Sequence, residues 1–112
     1  MAFNVNLEMV QGIAKLTLSG ELDASTASQF KEMVEKAAQQ NPKRLVLIMN
    51  DLEFMASAGL RVLIFAKQKM AASVDIYVIG AQEAVKGTLV KSGFHRSVIM
   101  FDEYDAAEIE SV

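Results

Sequence analysis

The chain has 112 residues, a length typical of a single domain. Hydrophobic residues make up 52% of it and charged residues 22%, which favours a soluble domain with a real core. The net charge of −3 argues against a main role in wrapping nucleic acid. The lack of cysteine excludes disulfides, thiolate zinc sites and cysteine nucleophiles. With no long apolar run and no secretory signal, we expect no membrane insertion and a cytoplasmic location.

The first third of the chain predicts a β-hairpin followed by a helix. Apolar residues occupy every second position over residues 3–9 and 14–18, the period of half-buried strands, and Gly12 lies in the break between them. The spacing becomes helical over residues 27–38, where Thr26 and Gln29 fit a capping box. Asn41 and Pro42 are expected to end this helix.

The remaining segments alternate between strand and helix. Leu45–Met49 is apolar on both faces, as expected for a buried central strand. A second helix should begin near residues 57–59 and turn Leu60, Leu63 and Ile64 inward. Strands over residues 74–79 and 98–101 and helices over residues 82–91 and 104–110 complete the prediction. The order β-β-α-β-α-β-α-β-α predicts one α/β domain over residues 1–112, a mostly parallel sheet with an N-terminal antiparallel hairpin and helices packed on it.

Familiar catalytic and metal sites are missing from the sequence. The glycines at 59, 87 and 93 stand alone, so there is no glycine-rich phosphate loop, and His95 is expected to be a surface loop residue. The acids at 102, 103 and 105 are expected near a helix N-terminus, where the macrodipole explains them. We therefore expect no enzyme activity, no cofactor and no metal.

The end of the second strand and the segment after the central strand are the two places where a partner could bind. Glu21 and Asp23 could converge on a partner, or Asp23 could orient the following helix. Ligands of open parallel sheets usually lie beyond the carboxyl ends of strands, where residues 56–59 form a run of small residues. Ser57 would stand at the opening of a helix as an N-cap or as a functional hydroxyl, and an added phosphate would be stabilised there.

Three motifs resemble the STAS family, the domain shared by bacterial anti-sigma factor antagonists and the cytoplasmic tails of sulfate transporters. Leu18–Asp23 resembles the Gly-x-Leu-Asp ending of the family's second strand. Phe54–Leu60 is similar to the signature Asp-Ser-Ser/Thr-Gly-Leu with its two preceding apolar residues. Ala84-Val85 and Ser92–Phe94 resemble the third helix and the break after it. The resemblance covers nearly the whole chain and implies a STAS-like fold.

The antagonist branch of the family implies a phosphoprotein that regulates transcription through protein–protein interaction. Ser57 matches the signature serine, which is phosphorylated by a partner that is both anti-sigma factor and serine/threonine kinase with a histidine-kinase-like ATPase fold. The unphosphorylated antagonist binds this kinase and frees the sigma factor, the phosphorylated form lets go, and a phosphatase resets Ser57. We expect the antagonist to be a monomer when free. Its predicted partner-binding residues are Asp23, Ala56, Ser57, Ala58, Gly59 and Arg61.

Arg61 enters this set on physical grounds. It lies four residues after Ser57 and hence on the same helix face. A cation in the first turn opposes the macrodipole at a cost of about 0.3–1 kcal/mol, so a compensating role is expected. In a functional role, Arg61 either contacts phosphorylated Ser57 or pairs with an acid on the kinase. The alternative to both is a solvated arginine with no role in binding.

Two other functions compete with the antagonist. A STAS domain held permanently in a sensory or transporter assembly needs no phosphorylation, and this chain has Ala56 and Ala58 where relatives carry an acid and a second hydroxyl. A phosphorelay receiver needs an acidic pair after its first strand and a phospho-accepting aspartate after its third, and only Asp51 is available here.

Overall fold

A computed structural model describes residues 3–111. The strands are β1 (Asn4–Val10), β2 (Ile13–Leu22), β3 (Arg44–Met55), β4 (Asp75–Ile79) and β5 (Ile99–Phe101). The helices are α1 (Ala27–Gln39), α2 (Ser57–Lys69), α3 (Glu83–Ser92) and α4 (Ala106–Ile109), with a short 3-10 helix (Phe94–Ser97) before β5. Apart from the 3-10 helix, the order of elements is the predicted one.

The strands form one sheet in the order β1-β2-β3-β4-β5. β1 and β2 are antiparallel, and every other neighbouring pair is parallel. Gln11 and Gly12 both have positive φ, 53° and 81°, the backbone of the two-residue turn whose twist suits a hairpin. The predicted hairpin and the mostly parallel sheet are confirmed.

Helices cover both faces of the sheet. The larger core lies between the sheet and α1, α2 and α3, which contribute Phe30, Leu63 and Leu89 among others. The smaller core lies on the other face, where Ile109 of α4 packs in a cluster that includes Val46. Because successive side chains of a strand point to opposite faces, a strand buried in this way on both sides is apolar throughout.

The one-turn helix α4 is fastened to the sheet by polar contacts. The Arg44 guanidinium donates to the carbonyl oxygens of Glu108 and Ile109, at 2.6 and 2.9 Å, and so satisfies acceptors at the helix end. Lys15 Nζ lies 3.4 Å from Glu110 Oε2, and the Tyr104 hydroxyl donates to the same oxygen. At the other end Asp105 is the N-cap and accepts from the Glu108 N–H at 3.2 Å, so one of the three acids expected near a helix N-terminus caps the helix directly.

β3 is longer than the predicted Leu45–Met49 and reaches Met55. Its pairing with β2 shifts register twice, and each shift opposes an extra residue of β3 to β2. Such bulges re-aim the side chains that follow them. As a result Met49, Leu52 and Met55 are all buried although they are three residues apart. The prediction was too short because it relied on the apolar run alone, which ends at Met49.

Candidate functional site

The segments after β2 and β3 begin side by side at the carboxyl end of the sheet. Leu22 and Met55 occupy the last register position of the two strands. The Ala56 N–H donates to the Leu22 carbonyl oxygen at 2.8 Å and ties the strand ends together. Asp23 directly follows one of these bonded residues and Ser57 the other, so the two segments are neighbours, because the carboxyl ends of adjacent parallel strands meet at one edge of a sheet.

Gly59 allows α2 to begin directly against these strand ends. It is buried, and a Cβ built on it would lie 2.6 Å from Leu22 Cγ and 2.9 Å from Met55 Cγ. Both distances are far inside van der Waals contact, so a side chain at this position has no room. Packing against the two strand ends therefore explains why this position is glycine. Contact between Gly59 and a partner stays a prediction.

Ser57 is the first residue of α2, and Ala56 is the N-cap, in extended backbone with φ −83° and ψ 172°. The Ala56 carbonyl accepts from the N–H groups of Gly59 and Leu60, at 3.0 and 3.2 Å. The interpretation of Ser57 as N-cap is therefore wrong, because the preceding residue already occupies that position. The Ser57 side chain is exposed at an end of the helix that no side chain caps.

One exposed stripe of α2 runs from Ser57 through Arg61 to Ile64, at helical spacing of four and three residues. Arg61 thus lies one turn beyond the serine on the same face, as predicted. Ile64 was expected to point inward, but it is 42% exposed while Leu63 is buried. The prediction for Ile64 was wrong because Val62, Leu63 and Ala66 already fill the inward face.

Asp23 organises a tight turn between β2 and α1. Its carboxylate accepts from the Ser25 N–H at 2.9 Å and from the Ser25 hydroxyl at 2.6 Å. These bonds hold the pKa of the Asp23 carboxyl below its ordinary value of 3.8. The geometry thus supplies the helix-orienting role that was the alternative to partner binding, while Asp23 also directly follows the strand end that is bonded to Ala56.

Thr26 does not form the predicted capping box with Gln29. It is the N-cap of α1, yet its side chain makes no capping bond to the helix. Its hydroxyl instead accepts from the Asp23 N–H at 3.0 Å and donates to the Glu21 carbonyl oxygen at 3.1 Å. The Thr26 hydroxyl therefore bonds to backbone groups of the turn and not to the helix. These bonds constrain the segment that carries Asp23.

Two polar side chains that the sequence analysis did not single out fix α3 against β3. The Gln82 side-chain amide donates to the Asn50 carbonyl oxygen at 2.8 Å, and the Thr88 hydroxyl donates to the Met55 carbonyl oxygen at 3.4 Å. Both acceptors are on the part of β3 that β4 does not pair. Because the predicted strand ended before both acceptors, these two contacts could not be predicted from the sequence.

Metal ligands, His95 and a cleft are the remaining features that bear on ligand binding. Within residues 3–111, no group of three or more His, Cys, Asp or Glu side chains could hold a metal ion. His95 lies in the 3-10 helix and not on a surface loop, half-buried, with its Nδ1 buried and unpartnered. A cleft of about 490 Å³ lies near the C-terminal ends of α1 and α2, between Lys43 and Lys69, and no predicted site residue lines it.

The fold and the motif define a STAS domain. The STAS domain family model matches residues 4–107, and the chain belongs to that family. Among residues 3–111, no helix combines the length and the apolar character that crossing a bilayer requires.

Several relatives are named anti-sigma factor antagonists. The anti-sigma-F factor antagonist RsfB of Mycobacterium tuberculosis is 28% identical over 90 residues, which cover 80% of this chain and 74% of that protein. A crystal structure of an anti-sigma factor antagonist from Mycobacterium paratuberculosis matches with a TM-score of 0.90 at 20% identity, over 98% of this chain and 96% of that one. The antagonist SpoIIAA in its unphosphorylated form matches with a TM-score of 0.77 at 18% identity, over 97% and 94%. The two structural matches establish the STAS-like fold.

Proposed function

We propose that this chain is a cytoplasmic anti-sigma factor antagonist that binds an anti-sigma factor serine kinase and is switched off by phosphate on Ser57. The observation that carries the proposal is the exposed Ser57 side chain at the first position of α2, in the place of the family's signature serine. The naming of relatives such as RsfB as anti-sigma-F factor antagonists supports the same function.

The switch follows from the charge of a phosphate. A phosphoserine carries about −1.5 to −2 charges at neutral pH, and burying that charge in a protein interface costs free energy. Ser57 is flanked by Ala56 and Ala58, which are half-buried and bring no counter-charge, and Asp23 is an acid in the neighbouring segment. A coupling of roughly 1–3 kcal/mol between phosphate and partner lowers the affinity about 5–150-fold.

The partner-binding face comprises two adjacent segments in this proposal. Asp23 contributes a charge, the small residues at 56 and 58 let a partner approach the backbone, and Arg61 contributes a cation on the exposed stripe of α2. The buried Gly59 contributes through the close approach that it allows between α2 and the strand ends. The chain itself performs no chemistry, since the kinase adds the phosphate and a separate phosphatase removes it.

The proposal is tested by mixing the chain with each purified anti-sigma factor of its genome and Mg-ATP. Intact mass and peptide mapping should find one phosphate, on Ser57, with a single anti-sigma factor. Ser57→Ala should stay unphosphorylated and keep that anti-sigma factor bound. Phosphate on Ser25, Thr26 or Ser28 with Ser57 left unmodified would contradict the proposed switch. A stable complex that ATP never dissolves would favour the alternative, a permanent subunit of a sensory or transporter assembly.

A further inference from the structure

The ends of β2 and β3 project beyond the rest of the sheet. β3 pairs with β4 only as far as Ile48 and Ile79, whereas its pairing with β2 continues to Leu22 and Met55. On its other side β2 pairs with β1 only as far as Ser19, which lies opposite Asn4. Residues 20–22 and 52–55 therefore form a two-stranded segment, here called the terminal ribbon. One of its faces is buried under α2, because Leu22 and Met55 contact the helix at Gly59.

A bulge determines which side chains occupy the other face of the terminal ribbon. Gly20 pairs with Leu52 and Glu21 with Phe54, so Glu53 is the extra residue. Regular alternation after the buried Leu52 would point Phe54 into the core. The bulge turns it outward instead, and Phe54 is 46% exposed, the one aromatic side chain of residues 3–111 that is neither buried nor half-buried.

Three acidic residues are neighbours of Phe54 on the two strands. Glu21 lies directly opposite Phe54, Glu53 precedes it, and Asp51 directly precedes the terminal ribbon on the same strand, and all three are exposed. Neither of the two ion pairs found within residues 3–111 involves any of them. An exposed aromatic ring bordered by unpaired charges of one sign has the composition of an interface anchor with a charged rim.

We propose that Phe54 is the apolar anchor of the partner-binding face, and that Glu21, Asp51 and Glu53 select a partner surface in which basic residues border an apolar recess. This proposal rests on the proposed function and takes the anti-sigma factor as the partner. The acids attract the basic rim and accelerate association, and the buried ring slows dissociation.

Phe54→Ala tests the anchor, and Met9→Ala is its matched control. Met9 is also an exposed apolar residue, at 38%, but it pairs with Ala14 at the opposite end of the sheet. Binding to the anti-sigma factor, with its association and dissociation rates, is measured by surface plasmon resonance without ATP, and circular dichroism confirms that each variant is folded. We expect Phe54→Ala to lose affinity about 30-fold, mainly through faster dissociation, and Met9→Ala to change it less than about twofold.

Glu53→Lys tests the charged rim without altering the ring. It should slow association and flatten its dependence on salt, whereas Glu32→Lys on the exposed side of α1 should leave both unchanged. A wild-type affinity retained by Phe54→Ala, or an association rate retained by Glu53→Lys, would overturn this proposal and leave the proposed function standing. Absence of binding by the wild-type chain to any anti-sigma factor of its genome would overturn both.

Discussion

Gly59 lies directly against Leu22, so closely that a Cβ on the glycine would stand 2.6 Å from Leu22 Cγ. Leu22 is fully buried, and the interior of a protein is packed too closely for such a side chain to move aside without cost. Through this contact the start of α2, which carries Ser57, is seated on the end of β2, which leads into Asp23. The relative position of the two proposed partner-binding segments thus depends on the absence of one side chain.

Gly59→Ala is predicted to destabilise the fold although alanine is the better helix former. The clash with Leu22 and Met55 should cost about 1–3 kcal/mol, which outweighs a propensity gain of about 1 kcal/mol. Gly87→Ala is the control, because a Cβ there meets nothing within 4 Å inside α3. It should stabilise by about 0.5–1 kcal/mol in urea unfolding. Equal effects of the two substitutions would contradict the close approach.

Asp23→Asn is predicted to distinguish the role of Asp23 in the turn from its role in partner binding. The asparagine side-chain oxygen can still accept from the Ser25 N–H, so the melting temperature should change little. The lost charge should lower affinity for the anti-sigma factor about fivefold. Asp75→Asn at the start of β4 is the matched control. Unchanged affinity with unchanged stability would leave the turn as the whole role of Asp23.

Arg61→Gln is predicted to act differently in the two phosphorylation states. If Arg61 contacts the phosphate, the substitution should destabilise the phosphorylated form selectively, by about 1–2 kcal/mol in thermal unfolding. If it pairs with an acid on the kinase, affinity should fall in the unphosphorylated form. Arg96→Gln on the exposed part of the 3-10 helix provides the comparison. No effect in either state would make Arg61 an ordinary surface residue.

Glu110→Gln is predicted to change how stability depends on acid. The bond from the Tyr104 hydroxyl, and secondly the contact with Lys15, hold the pKa of Glu110 below its ordinary value of 4.5. A lowered carboxyl pKa contributes stability that is complete above the ordinary value and is lost as the pH falls through the lowered one. Urea unfolding from pH 6 to about pH 3 should therefore show a shallower acid loss in Glu110→Gln than in wild type. A wild-type slope in Glu110→Gln would contradict a role of these contacts in acid stability.

The spacing of apolar residues predicted most of the fold, because an element that is buried on one face carries apolar residues at regular intervals. The hairpin over β1 and β2 and the helices α1 to α3 each follow their apolar spacing. The end of β3 escaped prediction because its two bulges replace a spacing of two by a spacing of three between Met49, Leu52 and Met55. Bulges depend on pairing with a neighbouring strand, which a local pattern does not record.

The candidate site was predictable in its location and not in its local bonding. The adjacency of Asp23 and Ser57 follows from two neighbouring parallel strands, because their carboxyl ends meet at one edge of the sheet. The N-cap at Ala56 and the bonds of Thr26 to Glu21 and Asp23 do not follow, because they depend on backbone groups that several nearby hydroxyls could reach.

The central claim is that phosphate on Ser57 controls binding to the anti-sigma factor, and a paired affinity measurement tests it most directly. The chain phosphorylated at Ser57 and the unmodified chain are titrated separately into the same anti-sigma factor by calorimetry, with Ser57→Ala as the unmodifiable reference. We expect equal binding by the unmodified chain and Ser57→Ala, and a loss of affinity of about 5–150-fold on phosphorylation. Equal affinities of the phosphorylated and unmodified chains would contradict it.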